Sequence, residues 1–123
     1  MINFFKLVKS FKHAGRGIAS VYKGEQNFRI HCLAGAFVLI FSVILKISTL
    51  EWVIIFFLIS ILLILELINT ALEKVIDIIK PRVHEYAADI KDILSGAVLV
   101  SALMCAIGVL IVFIPHILEL FVR

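Results

Sequence analysis

The sequence predicts an all-α membrane protein, with an amino-terminal amphipathic surface helix and three transmembrane helices. Three observations carry that prediction. Of 123 residues, 63% are hydrophobic and only 17% charged, with a mean hydropathy of +1.14. This is far more apolar than a soluble domain, so a bilayer is the natural solvent. Apolar stretches long enough to cross about 30 Å of hydrocarbon recur at about residues 28–47, 50–79 and 91–118. The lysines and arginines, finally, gather at alternate ends of those stretches.

Each element follows in order. Over about residues 3–13, Phe4, Leu7, Val8 and Phe11 share one side of a helix, and Lys6, Lys9, Ser10 and His13 the other. A short basic helix with an aromatic face suits a membrane surface. Packing of that face on the rest of the protein is an equal reading. Gly15 and Gly17 mark one candidate break, and Gly24 another, and the sequence does not choose between Gly15 and Gly24. The first span runs from Phe28 to Ile47. Ser48 with Glu51 three residues later fits a capping box that starts the second helix, and Trp52 suits the interface. That helix continues to about Ile79, where Lys80-Pro81 ends it. Roughly 30 residues at 1.5 Å each make about 45 Å, so one end must project into water. The third span carries no formal charge from Ile93 to Leu118, with Pro115 and His116 near its far end and a short tail after it.

Lys6, Lys9, Lys12, Arg16, Lys23 and Arg29 precede or open the first span, and Lys74, Lys80, Arg82 and Lys91 surround the second connection. Only Lys46 and Arg123 fall on the opposite side. The positive-inside rule therefore predicts a multi-pass membrane protein whose amino terminus and second connection are cytoplasmic.

Several functions are excluded. A net charge of +3 is too small to point to nucleic acid. Cys32 and Cys105 lie in apolar runs without CxxC or Cys/His spacing, so they read as apolar fillers. His13, His31, His84 and His116 show no zinc-ligand spacing. There is no GxxxxGK[ST] loop and no Gly-rich kinase loop, which removes the soluble nucleotide-binding folds. The basic, aromatic first residues lack the apolar run and small-residue site of a signal peptide.

The carboxylates carry the positive signal. All except Glu51 and Glu119 fall on the predicted cytoplasmic side. On the second helix Glu66, Asn69, Thr70, Glu73 and Asp77 fall within an arc of about 80°. Counting from Trp52, Glu66 lies about 21 Å into the ~30 Å core, Glu73 near its boundary and Asp77 beyond it. A carboxylate at the depth of Glu66 is costly unless it is paired or functional. Such a stripe suits a lipid hydroxyl at its deep end and a hydrophilic cosubstrate at its shallow end. Glu25 with Arg29, at i,i+4, would alone be an ordinary surface pair. Lys91-Asp92 would alone be a solvated helix end. Their shared level with Glu73 adds them to the candidate site, where Glu25 and Glu73 suit Mg²⁺ and Lys91 suits phosphate.

These residues resemble a known family. Glu25-Gln26-Asn27-Phe28-Arg29, Glu66-Leu67-Ile68-Asn69-Thr70-Ala71-Leu72-Glu73 with Asp77, and His84-Glu85 followed by Lys91-Asp92 and Gly96-Ala97-Val98-Leu99 match, in order and spacing, the prokaryotic diacylglycerol kinase family. The resemblance spans nearly the whole chain. It implies a homotrimeric lipid kinase whose active sites are shared between subunits, transferring the γ-phosphate of MgATP to a lipid hydroxyl. It further implies Glu66 as catalytic base and Glu25 and Glu73 as Mg²⁺ ligands. His13, Glu25, Glu73, His84, Lys91 and Asp92 would contact ATP, and Arg29, Glu66, Asn69 and Ser95 the lipid substrate. Three positions depart from the family pattern: Ile90 and Leu94 replace small residues, and His13 stands where an aromatic is common. His31 resembles the undecaprenol kinase branch, whereas the diacylglycerol branch tends to carry an acid there. Undecaprenol is thus the expected acceptor and diacylglycerol the alternative.

Two other classes compete. A transporter needs polar groups through the full membrane depth, but the deep half of the second span and most of the third are apolar. A scaffold subunit leaves the stripe of Glu66, Asn69 and Glu73 without a reason.

Overall fold

The computed structural model describes residues 1–123 as four helices: α1 (Phe4–Gly24), α2 (Gln26–Leu45), α3 (Thr49–Ile79) and α4 (His84–Val122). The last three are long and apolar enough to cross a membrane. Most large apolar side chains on them face outward, as expected where lipid rather than water is the solvent.

The first helix is longer than its amphipathic start suggests. The side chain of Asn3 caps it by accepting the Lys6 N–H at 3.2 Å, and it then runs through Gly15 and Gly17 without interruption. Neither glycine would bring a Cβ near any other atom, so nothing at those positions calls for a turn. The break comes after Gly24, at Glu25, whose extended backbone both ends α1 and begins α2.

α2 ends on Lys46, which sits in the left-handed region at φ 54° and donates its N–H to the Ser42 and Val43 carbonyls. α3 begins with the expected capping box. Ser48 Oγ accepts the Glu51 N–H at 3.3 Å, and the Ser48 N–H donates to Glu51 Oε2 at 2.7 Å. Two orphan amides are thereby satisfied within one turn. Pro81 offers no N–H and cannot extend α3. The chain turns over Lys80–Val83, with Arg82 and Val83 donating back to the Ile79 carbonyl.

α4 starts seven residues before Lys91 and continues helically beyond Pro115 to Val122. It pairs antiparallel with α3 as the main helix–helix contact. Two buried clusters hold that pair: Ile47, Ile55, Val112 and Phe113 near one end, and Leu62, Val98 and Cys105 in the middle. Close approach rests on small residues. A Cβ at Gly108 would collide with Leu58, and one at Gly35 on α2 would lie 3.2 Å from Ile59. Two buried serine hydroxyls are satisfied within their own helices, Ser42 by the Val38 carbonyl and Ser101 by the Val98 carbonyl, both at 2.8 Å.

Candidate functional site

The polar stripe on α3 is a gradient of burial. Glu66 and Thr70 are each only 3% exposed, Asn69 and Glu73 are half-buried, and Asp77 is exposed. A helical repeat places them on one side, and burial falls from the deep end of the stripe to the shallow one. Asn69 Nδ2 donates to Glu73 Oε1 at 3.2 Å, tying two stripe members together one turn apart.

Glu66 meets α2. Its Oε1 lies 2.8 Å from His31 Nδ1, yet the two atoms are not aligned for a hydrogen bond. Both are shut away from solvent without a partner, as is Asn69 Oδ1. Three buried polar atoms left unpaired within one small region are uncommon, because each costs about 1–3 kcal/mol when it lacks a partner. The sequence marks His31 only as a branch residue. Its place six residues into α2, a titratable group at the opening of an apolar run, was the available signal for a role beside Glu66.

His31 also closes one end of an apolar cleft of about 430 Å³ between α2, α3 and α4. Ala34 and Gly35 line it from α2, Leu62 from α3, and Ala102 and Ala106 from α4. It follows α4 from Ala102 to Leu110, about 12 Å at 1.5 Å per residue. Glu66 does not itself line the cleft; it lies next to it through His31, which does.

The remaining candidates are distributed unevenly. Glu25 is half-buried at the α1–α2 break, and its carboxylate forms no ion pair. Arg29 does not pair with Glu25. Its Nη1 donates to the Tyr22 and Lys23 carbonyls at 3.0 and 2.8 Å, so the cation closes the carboxyl end of α1 and ties it to α2. Lys91 turns toward α3 and pairs with Asp77 at 2.6 Å across the Lys80–Val83 turn. Asp92 and Ser95 lie off that face of α4 and are exposed, as is His84 at its first turn. His13 lies in a separate basic cleft on α1 with Lys9, Lys12 and Arg16, about 18 Å along the helix from Glu25. The chain thus brings Glu66, Asn69, Glu73 and His31 together, and leaves His13, Asp92 and Ser95 on its surface.

No group of three or more His, Cys, Asp or Glu side chains is gathered for a metal. Mg²⁺ asks less of a protein, commonly one or two carboxylates completed by phosphate oxygens and water. Glu25, without an ion pair, and Glu73, with only one oxygen engaged by Asn69, are donors of that kind.

Comparison with known proteins gives a consistent result. The prokaryotic diacylglycerol kinase family matches residues 12–113. An undecaprenol kinase of Bacillus subtilis is 43% identical over 110 residues, covering 89% of each chain. A diacylglycerol kinase of Synechocystis is 33% identical over 94% of this chain and 67% of its own. That of Escherichia coli K12 is 25% identical over 92% and 93%.

Proposed function

Because this chain belongs to the prokaryotic diacylglycerol kinase family of membrane lipid kinases, we propose that it phosphorylates undecaprenol with MgATP at the cytoplasmic face of the membrane. The observation that carries the reading is Glu66, a carboxylate 3% exposed beside the head of an apolar cleft. An alcohol at the end of a long hydrocarbon tail is the substrate that such a site fits. Identity to the Bacillus subtilis undecaprenol kinase supports a polyprenol over diacylglycerol, which stays the alternative acceptor.

Glu66 accepts the proton of the lipid hydroxyl as its oxygen attacks the γ-phosphorus and the bond to the ADP oxygen breaks. Transfer is direct, since Glu66 sits at the depth of the hydroxyl rather than of the phosphates. Mg²⁺, when bound through Glu25 and Glu73, would offset charge on the phosphate oxygens. Asn69 holds Glu73 in place. His13, His84, Lys91 and Asp92 bind the nucleotide, with Lys91 supplying two ammonium protons beyond the one that it gives Asp77. Ser95 and Arg29 border the lipid headgroup.

Asp92 and Ser95 are exposed in the single chain. In a homotrimer they would face the stripe of a neighbouring subunit, so that each active site is shared. The distribution of Lys and Arg puts the amino terminus and the Lys80–Val83 turn in the cytoplasm. The exposed Phe4, Phe5 and Phe11 would then rest α1 on the headgroup layer.

The test is phosphate transfer from MgATP to undecaprenol and to diacylglycerol, measured side by side on the purified protein. Transfer to undecaprenol at the higher kcat/KM supports the proposal, and preference for diacylglycerol replaces the acceptor. A folded protein that phosphorylates neither lipid refutes both.

A further inference from the structure

We infer that His31 is the positioning residue of Glu66, holding one carboxylate oxygen so that the other meets the lipid hydroxyl. The inference rests on the reading of Glu66 as base and adds a residue to it. Two facts carry it. His31 Nδ1 and Glu66 Oε1 stand 2.8 Å apart, and neither buried atom has any other hydrogen-bond partner.

In apolar surroundings an ionisable carboxylate needs a donor, and no other side chain supplies one to Glu66. The imidazole can do so through Nδ1–H as the neutral tautomer, with its other nitrogen free of a proton. Oε1 is the enclosed oxygen of Glu66. Occupying it leaves Oε2 as the acceptor for the incoming hydroxyl, which fixes the direction of proton transfer. The pair is apposed but misaligned in the free protein. Catalytic hydrogen bonds commonly tighten only when the substrate is bound, and a hydroxyl engaging Oε2 would swing the carboxylate into line with Nδ1–H.

The location of His31 fits this task. It is the polar residue at the end of the apolar cleft, so a tail lying in the cleft would bring its terminal hydroxyl to the His31–Glu66 pair. Lys91 cannot substitute for it, since its ammonium is held at Asp77, about three helical turns along α3 from Glu66.

The experiment compares His31→Leu, His31→Asn, Glu66→Gln and the double variant His31→Leu/Glu66→Gln. Lipid phosphorylation kinetics and thermal unfolding are recorded for each in detergent. His31→Leu is expected to lower kcat about 10- to 100-fold, the range for losing a hydrogen bond to a charged group, with KM for ATP unchanged. His31→Asn, whose amide can reach the same oxygen, should recover to within about threefold of the parent. The double variant should be no slower than Glu66→Gln alone, because the histidine acts through that carboxylate.

Other outcomes separate the two ideas. If Glu66→Gln abolishes turnover while His31→Leu leaves kcat unchanged, the positioning role is wrong and the base survives. If both histidine variants raise only the lipid KM, His31 is merely a wall of the cleft, and the inference fails. Full activity in Glu66→Gln overturns the base assignment itself. A His31→Leu protein that unfolds is replaced in the comparison by His31→Asn and His31→Gln, whose equal loss of kcat would also refute the role.

Discussion

The two halves of α3 handle their polar groups in opposite ways. At the Ser48 end, Glu51 caps its own helix and also receives His116 Nε2 at 3.1 and 3.0 Å from its two oxygens. Ser48 is engaged twice in the capping box, and the neighbouring Lys46 closes α2 with its backbone amide. At the Glu66 end the groups lie deeper, yet His31 Nδ1, Glu66 Oε1 and Asn69 Oδ1 are without partners. Each half joins a glutamate to a histidine on another helix, but only the first pair is bonded. A satisfied network rigidifies a fold, whereas unsatisfied buried groups cost stability and persist where a ligand completes them.

The largest effect expected from breaking this contrast is at Glu66. Glu66→Gln should reduce lipid phosphorylation by about 10²- to 10⁴-fold, the usual contribution of a general base. Its thermal unfolding temperature should hold or rise, because a neutral amide is cheaper to bury than a carboxylate. A large fall in stability with the activity per folded molecule intact would mean that Glu66 is structural, and the contrast would collapse.

Next comes Glu73. If it holds Mg²⁺, Glu73→Gln should raise the Mg²⁺ concentration for half-maximal activity at least about tenfold, a shift that even outer-shell partners of metals produce. Excess Mg²⁺ should restore part of the rate. An unchanged Mg²⁺ profile would remove Glu73 from the ligand set.

The Ser48 end should respond in stability alone. Ser48→Ala removes a cap and should cost about 1 kcal/mol, read as a lower unfolding temperature in detergent. Glu51→Gln should act in the same direction, by weakening the contact to His116. Neither should change kcat per folded molecule. A selective loss of turnover in either variant would show that the two ends are coupled, and would erase the distinction drawn from their bonding.

What could be read from sequence divides along the same line. The Ser48–Glu51 cap and the stop at Pro81 were legible because each is local: a hydroxyl and a carboxylate three residues apart, and a ring without an amide hydrogen. The polar stripe was legible because helical periodicity alone sets it. Contacts between helices were not. The i,i+4 spacing of Glu25 and Arg29 alone suggests a surface pair, but the carbonyls ending α1 lie within reach of Arg29 and lack intrahelical donors, so it binds them instead. Lys91 pairing with Asp77 depends on how α3 and α4 are set across the turn, which no spacing on either helix announces. The glycines left the first break open between Gly15 and Gly24. Glycine permits a break without requiring one, and the chain turns at Glu25.

The smallest effect belongs to Lys46, the one non-glycine residue with positive φ. A left-handed conformation costs an ordinary residue about 1–2 kcal/mol. Glycine would relieve this, while its freer unfolded chain would take back about 0.4–1 kcal/mol. Lys46→Gly should therefore raise stability by about 0.5 kcal/mol, a shift of a degree or two that paired thermal scans can resolve. It should leave turnover unchanged, since Lys46 belongs to the half of the molecule where strain would serve no ligand. A loss of stability instead would mean that the lysine side chain holds this end by contacts outside the single chain, and that its backbone strain is offset there.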